Sequence, residues 1–202
     1  MSVEAIDPTA LSVITYPHPT LRYEAKPIRR VDANLKQLVS RMFELMYESR
    51  GVGLAATQVD LPIRLFVMNS TGQVDDGQEC VMINPVITKP RGNEEAEEGC
   101  LSLPNVHGNV IRAKTIHVNA FDLAGHEINQ EFSGFEARII QHETDHLDGT
   151  LFIDRLKEGA VNEVLGELDA MVTDFRSRQR TGAMPGDDAL LSRLADWETK
   201  YC

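Results

Sequence analysis

The segment His142-Glu143-Thr144-Asp145-His146 sets two imidazoles four positions apart, with a carboxylate directly after the first. On a helix, residues four apart share a face, with their side-chain origins about 5–6 Å apart. Both rings can then reach one ion at about 2.0–2.1 Å. Glu143 stands beside such an ion without ligating it, where a carboxylate can carry protons. That chemistry is metal-assisted hydrolysis. The plain alternative is a pair of solvent-facing histidines, since this pattern also arises by chance. Phe135 and Ile139 extend the same face, however, and turn it inward. A buried histidine pair next to a glutamate is costly unless something organises it.

Two imidazoles under-coordinate an ion, so a third ligand has to be found. One peptidase pattern continues as His-x-x-Gly-x-x-His; here Gly149 is in place, but Phe152 stands where that histidine belongs. A second pattern uses a distal glutamate. Glu163 and Glu167 are available for it, but both read as the solvated face of an amphipathic helix. The remaining candidate is Cys100, in Glu97-Glu98-Gly99-Cys100-Leu101-Ser102. A lone cysteine is most often a small buried hydrophobe, yet a thiolate is also a strong ligand for Fe(II) or Zn(II). A further element, Gly51-Val52-Gly53-Leu54-Ala55-Ala56-Thr57-Gln58, has small residues suited to a peptide lying against the backbone. Its Gln58 brings an amide donor that can meet a developing oxyanion.

Several elements must position these groups. Leu35, Leu38, Val39, Met42, Leu45 and Met46 recur at helical spacing between Asp32, an N-cap, and Gly51, which stops the helix. Strand-like runs follow at 63–68 and 81–83, with Asp75-Asp76-Gly77 turning between them. Residues 109–122 alternate, Ile111 and Ala113 facing opposite to Arg112 and Lys114. Short strands joined by turns, with no helix between them, predict antiparallel pairing. Ser133 and Glu136 form a capping-box pair, so the helix bearing the histidines should start there and run to about Leu147, with Gly149 ending it. A third helix is expected through Val161, Leu168 and Phe175. After a linker at 181–186, Leu190, Leu191, Leu194 and Trp197 suggest a short last helix. The expected architecture is α+β, with antiparallel sheets surrounding the central helix that carries the histidines and a C-terminal helix after it. Residues 1–180 read as a single domain and 181–202 as a C-terminal extension.

The chain has 202 residues, 42% hydrophobic and 25% charged, enough to bury a core without disulfides. A net charge of -11 argues against general nucleic-acid binding. Cys80, Cys100 and Cys202 are an odd set without framework spacing, which suits a reducing compartment. There is no apolar run of signal-peptide or membrane-span length. A cytoplasmic protein with no membrane association is expected.

Taken together, three segments resemble the peptide deformylases. The family's Gly-x-Gly-Leu-Ala-Ala-x-Gln is matched at 51–58, its Glu-Gly-Cys-Leu-Ser at 98–102, and its Gln-His-Glu-x-Asp-His-Leu-x-Gly at 141–149, in that order. The resemblance implies removal of the formyl group from N-formylmethionine at the start of nascent bacterial or organellar polypeptides. It also implies one divalent ion held by Cys100, His142 and His146: usually Fe(II), with Zn(II), Ni(II) or Co(II) in purified protein. Carried over residue by residue, Glu143 is the acid/base, and Gln58 with the backbone N–H of Leu101 supplies the oxyanion donors. The backbone at Val52, Gly53 and Gly99 pairs with the extended substrate. Phe135, Arg138 and Ile139, with Val52, are the candidates for the methionine pocket. The apolar stem of Arg138 is expected to wall that pocket with its charge in solvent, and a surface ion pair is the plain alternative. In some relatives a basic C-terminal helix contacts the ribosome. Here only the last turn of the third helix is basic.

Overall fold

The computed structural model describes residues 6–202. Its spine is one five-stranded antiparallel meander, where the sequence suggested several sheets. The strands are β1 (Gly53–Ala55), β2 (Leu65–Met68), β3 (Cys80–Cys100), β4 (Leu103–Phe121) and β5 (Glu127–Ser133), hydrogen-bonded in chain order. Four helices accompany them: α1 (Ala33–Glu48), α2 (Gly134–Leu147), α3 (Glu158–Arg180) and α4 (Asp187–Tyr201).

β2 shows why α1 and α2 end up on opposite faces. All four of its side chains are buried, and alternate residues point to opposite sides of a strand. Leu65 and Val67 pack with Leu38, Met42 and Met46 of α1. Phe66 and Met68 join Ala137, Ile139, Ile140 and Leu147 of α2, together with Ile116, Val118 and Ala120 of β4. A third cluster seats Val164 and Leu168 of α3 against Val106 and Val110 of β4.

Asp32 caps α1 as expected, accepting the Leu35 N–H at 2.8 Å. The helix ends differently. Arg50, not Gly51, takes the left-handed conformation, at φ +57°. Gly51 is small for another reason: a Cβ there would lie 2.8 Å from Leu101 Cδ1. Ser133 is the N-cap residue of α2, but its side chain makes no capping bond. The capping-box pair therefore marks the right boundary without forming the box. Gly149, at φ +68°, closes that helix against the Arg22 backbone.

The largest departure is β3, which runs on through Pro85, Pro90 and Gly92 to Cys100, pairing with β4 across register shifts. β4 alternates as expected, but at one pair the arginine is the inner residue: Arg112 is 4% exposed and Ile111 50% exposed, while Lys114 is exposed.

The terminal helix α4 is built into the main core. Trp197 and Tyr201 stack on each other and pack in the cluster that holds α1. The Arg29 N–H donates to the Tyr201 carbonyl at 2.8 Å, and Tyr23 donates to Glu198 at 2.6 Å. Leu191, grouped with Leu190 and Leu194 on periodicity, faces out. Trp197→Ala should therefore cost about 3 kcal/mol of unfolding free energy, seen as a lower urea midpoint for the whole domain. An unchanged midpoint would mean that α4 contributes nothing to the core.

Candidate metal centre

Two chain segments converge behind one cleft. Cys100 ends β3, where the chain turns into β4; His142 and His146 lie one turn apart on α2. One ligand atom from each falls within 4.8 Å of the others. Cys100 Sγ is 3.2 Å from His146 Nε2, and the two imidazole rings are 5.0 Å apart between centroids. Within this set a thiol and two imidazoles can hold a divalent transition ion and leave a coordination position for water or substrate.

The charges around the set favour a cation. Burial alone would lower the pKa of His142, but its hydrogen bonds with Cys100 and Glu98 overcome this and push it up to about 10. The field that draws a proton there would equally draw a metal ion. His146 is different: burial, and then the charges of His142 and Arg112, hold its pKa well below the usual histidine range. It is a neutral imidazole, the form that ligates.

Glu143 is 4% exposed, and its Oε2 has no hydrogen-bond partner among the described residues. Burial pushes its carboxyl up to about 7, against the opposing pull of His142. A carboxyl poised near neutrality can both accept and deliver a proton. Its seat depends on Gly53, because a Cβ at that position would come within 2.8 Å of Glu143 Cδ and overlap the carboxylate itself. Gln58 is fully buried with its amide oriented from behind. Its Oε1 accepts the Ala55 N–H at 2.8 Å, which leaves Nε2 directed at Cys100 Sγ (3.4 Å) and Ser102 Oγ (3.3 Å).

Every other residue singled out from the sequence lines the same cavity, of about 380 Å³. Val52 and Gly53 are on one wall, Gly99 and Leu101 on another, and Phe135, Arg138 and Ile139 on the helix side. His146 is fully buried behind them. Phe135 is 54% exposed and sits at the rim, so the inward face inferred from it begins only at Ile139. Arg138 departs from its expectation. It is 7% exposed, and its charge is paired inside the protein with Glu98, not held in solvent. Arg50, Glu97 and His107 also line the cavity and went unnoticed in the sequence, where nothing distinguishes them from surface residues.

Also missed was the scaffold of the ligands. Glu98, buried beneath the cleft, accepts from Arg112 Nε at 2.9 Å and Arg112 Nη2 at 2.8 Å, and its Oε2 lies 3.0 Å from His142 Nδ1. Arg112 also pairs with Asp145 of α2, which in turn holds Arg155, with Arg155 Nε at 2.5 Å. Burial would raise the Glu98 pKa, but Arg112 and His142 reverse this and keep the carboxyl well below the usual range. Fixing His142 by Nδ1 leaves Nε2 free to ligate, the usual way a carboxylate orients a metal-binding histidine. Glu98 stood in a quoted motif without a role; its buried pairing with residues 14 and 44 positions away was the missing signal.

Comparison with known proteins agrees with this geometry. The polypeptide deformylase family model matches residues 10–162. A peptide deformylase of Rhodopirellula baltica is 51% identical over 191 residues, covering 95% of each chain. Peptide deformylase 1B of Arabidopsis thaliana, described as chloroplastic/mitochondrial, is 38% identical over 186 residues, 92% of this chain and 67% of that one. Among solved structures, a plant peptide deformylase PDF1B superposes with a TM-score of 0.84 at 36% identity, over 91% of this chain and 98% of the other. The Thermotoga maritima enzyme superposes with a TM-score of 0.68 at 40% identity, over 73% and 97%.

The role of Glu98 leads to a measurable outcome. Glu98→Gln, which keeps the shape but removes the charge, should weaken metal retention about 10- to 100-fold. Competition with a chelator would measure it. Retention equal to that of the unaltered protein would show that His142 needs no such anchor.

Proposed function

Because this chain belongs to the polypeptide deformylase family, and is a metal-dependent enzyme that deformylates N-formylmethionyl polypeptides, we propose the following roles for its residues. Cys100, His142 and His146 hold the ion, and Glu143 handles the protons. The convergence of these three residues beside a buried Glu143 carboxylate whose Oε2 has no hydrogen-bond partner among the described residues carries the reading. A divalent ion bound there supplies Lewis acidity toward the formyl oxygen and toward water.

The residues of the chain do the rest. The substrate backbone lies extended between Val52–Gly53 and Gly99, a strand added between two walls of the cleft. Its methionine side chain enters the space bounded by Val52, Phe135, Arg138 and Ile139. Glu143 accepts a proton as water adds to the formyl carbon. Negative charge then grows on the formyl oxygen, and the Gln58 amide and the Leu101 N–H donate to it. Donors placed in advance toward a developing oxyanion each contribute about 3 kcal/mol. Gln58 is suited to the task because Ala55 already fixes its orientation. Glu143 next delivers its proton to the nitrogen as the C–N bond breaks, giving formate and a free methionine amine.

Fe(II) is the ion we assign in the cell, with Zn(II), Ni(II) or Co(II) occupying purified protein; a mixed thiolate and imidazole set accepts all four. We place the enzyme in the bacterial cytoplasm, where its three unpaired cysteines would persist as thiols. No helix among the described residues is long and apolar enough to cross a membrane. The partners are N-formylmethionyl nascent peptides. A transient ribosome contact through α3 has less support, since only Arg178 and Arg180 make its last turn basic and Arg176 just before it is paired with Asp187 of α4.

Anaerobically prepared protein loaded with Fe(II) or Ni(II) should release formate from a formyl-methionyl peptide; no release would sink the assignment. Glu143→Ala should keep its metal and lose nearly all turnover, and surviving turnover would remove Glu143 from the mechanism. Cys100→Ser should weaken or alter metal binding, whereas unchanged metal content would refute ligation by the thiol.

A further inference from the structure

Arg138 belongs to two places at once. Its stem lines the cavity that receives the methionine side chain, while its guanidinium, with the side chain 8% exposed, is spent on protein acceptors. Nη1 donates to Glu98 Oε1 at 2.7 Å and to the Val110 carbonyl of β4 at 3.0 Å. Nη2 donates to the Glu94 carbonyl of β3 at 2.8 Å. Glu98 in turn reaches His142 with its other oxygen, Oε2, at 3.0 Å.

The bonds to two strand carbonyls fix where the guanidinium sits, so it is a rigid fork and not a mobile countercharge. Arg112 grips both oxygens of Glu98, whereas Arg138 grips only Oε1, the one turned away from His142. The two cations together determine the plane of the carboxylate, and that plane sets the direction of the bond from Oε2 to His142. With Arg138 absent, Arg112 and His142 would still hold Glu98, but the pocket-side donor that restrains Oε1 would be gone and the carboxylate could turn about the Arg112 fork. Helix spacing makes the link direct: Arg138 and His142 are four residues apart on α2, on the face that meets Glu98.

We infer that Arg138 is a positioning residue for the metal centre: from the wall of the substrate side-chain pocket it fixes Glu98, and through Glu98 the ring of His142. This rests on the deformylase reading for what occupies the pocket, but the link from Arg138 to the ion does not. A purely lining residue would affect substrate binding alone. Arg138 should affect the ion as well.

The test uses full-length protein loaded with Co(II), whose visible absorption bands report ligand geometry without any turnover. Formate release by the unaltered protein is measured in parallel, so a failure of the deformylase reading appears separately. Arg138→Met keeps an unbranched apolar stem for the pocket and removes the fork. It should shift the Co(II) bands and speed metal loss to a chelator several-fold, up to about tenfold, with kcat falling more than KM rises. Arg138→Gln, neutral but able to hydrogen-bond, should move the same readouts in the same direction, and it carries the test if the methionine variant does not fold. In a Glu98→Gln background, Arg138→Met should add no further change in metal loss, because the path runs through Glu98. Unaltered bands and metal loss with only KM raised would overturn the proposal, as would fully additive effects in the double variant.

Discussion

The buried carboxylate of Glu98 is the constraint from which the rest of the site follows. An ionised carboxylate taken out of water is costly unless it is paired and its lone pairs are filled. Here Arg112 supplies a two-pronged bond, Arg138 a third donor and His142 a fourth contact. Arg112 is itself buried and must be neutralised from both sides, which Glu98 and Asp145 do. Such an arrangement is stable only when complete, since removing one partner leaves an uncompensated buried charge. It therefore holds β3, β4 and α2 in one mutual position. The proposed metal ligands, Cys100, His142 and His146, lie on two of those elements, β3 and α2.

The geometry of each element explains how little else is required. On β3, Glu98 and Cys100 are two apart and so point to the same side, one to the buried pair and the other to the proposed ligand set. Gly99 between them faces the other way, and His107 packs so closely over it that a Cβ would lie 2.8 Å from the ring. On α2, Arg138, His142 and Asp145 form one stripe, at intervals of four and three, that meets Glu98 and Arg112. Glu143 and His146 flank that stripe. Two periodicities, 2 on the strand and 3.6 on the helix, thus bring the two ligand-bearing elements together over a common anchor.

This division also accounts for what could be read from the chain. The histidine pair and Glu143 were legible because helix spacing alone puts them together. So were α1 and α3, whose apolar stripes are local. β3 beyond Ile83 was not, because Pro85, Pro90, Gly92 and a run of acids argue for loop. That segment is a strand only because β4 pairs with it, from Val86↔Asn119 to Gly99↔His107. The burial of Arg112 was hidden for the same reason. Alternation shows that Ile111 and Arg112 face opposite ways, but only distant Glu98 and Asp145 make the arginine the inner one. Cys100 was a candidate for the missing third ligand without local proof; the resemblance implied that role, and its place within 4.8 Å of both imidazoles is consistent with it.

The glycines of the first segment show the same split between local and distant causes. Gly51 and Gly53 read from the sequence as room for a peptide. In the fold each is also small because of a residue far along the chain, Leu101 for Gly51 and Glu143 for Gly53. Neither needs glycine for its backbone angle; the residue with positive φ there is Arg50. A Cβ at Gly53 would displace the Glu143 carboxylate, to which we assign the proton transfers, even though the glycine belongs to β1 and the carboxylate to α2. Gly53 and Glu143 line the same cavity, so the proposed substrate wall and the proposed acid/base meet at one backbone segment. In the proposed reading, close approach at Gly53 would let a peptide paired with β1 lie within reach of Glu143, so Gly53 in the first motif and the glutamate in the third answer to a single steric requirement.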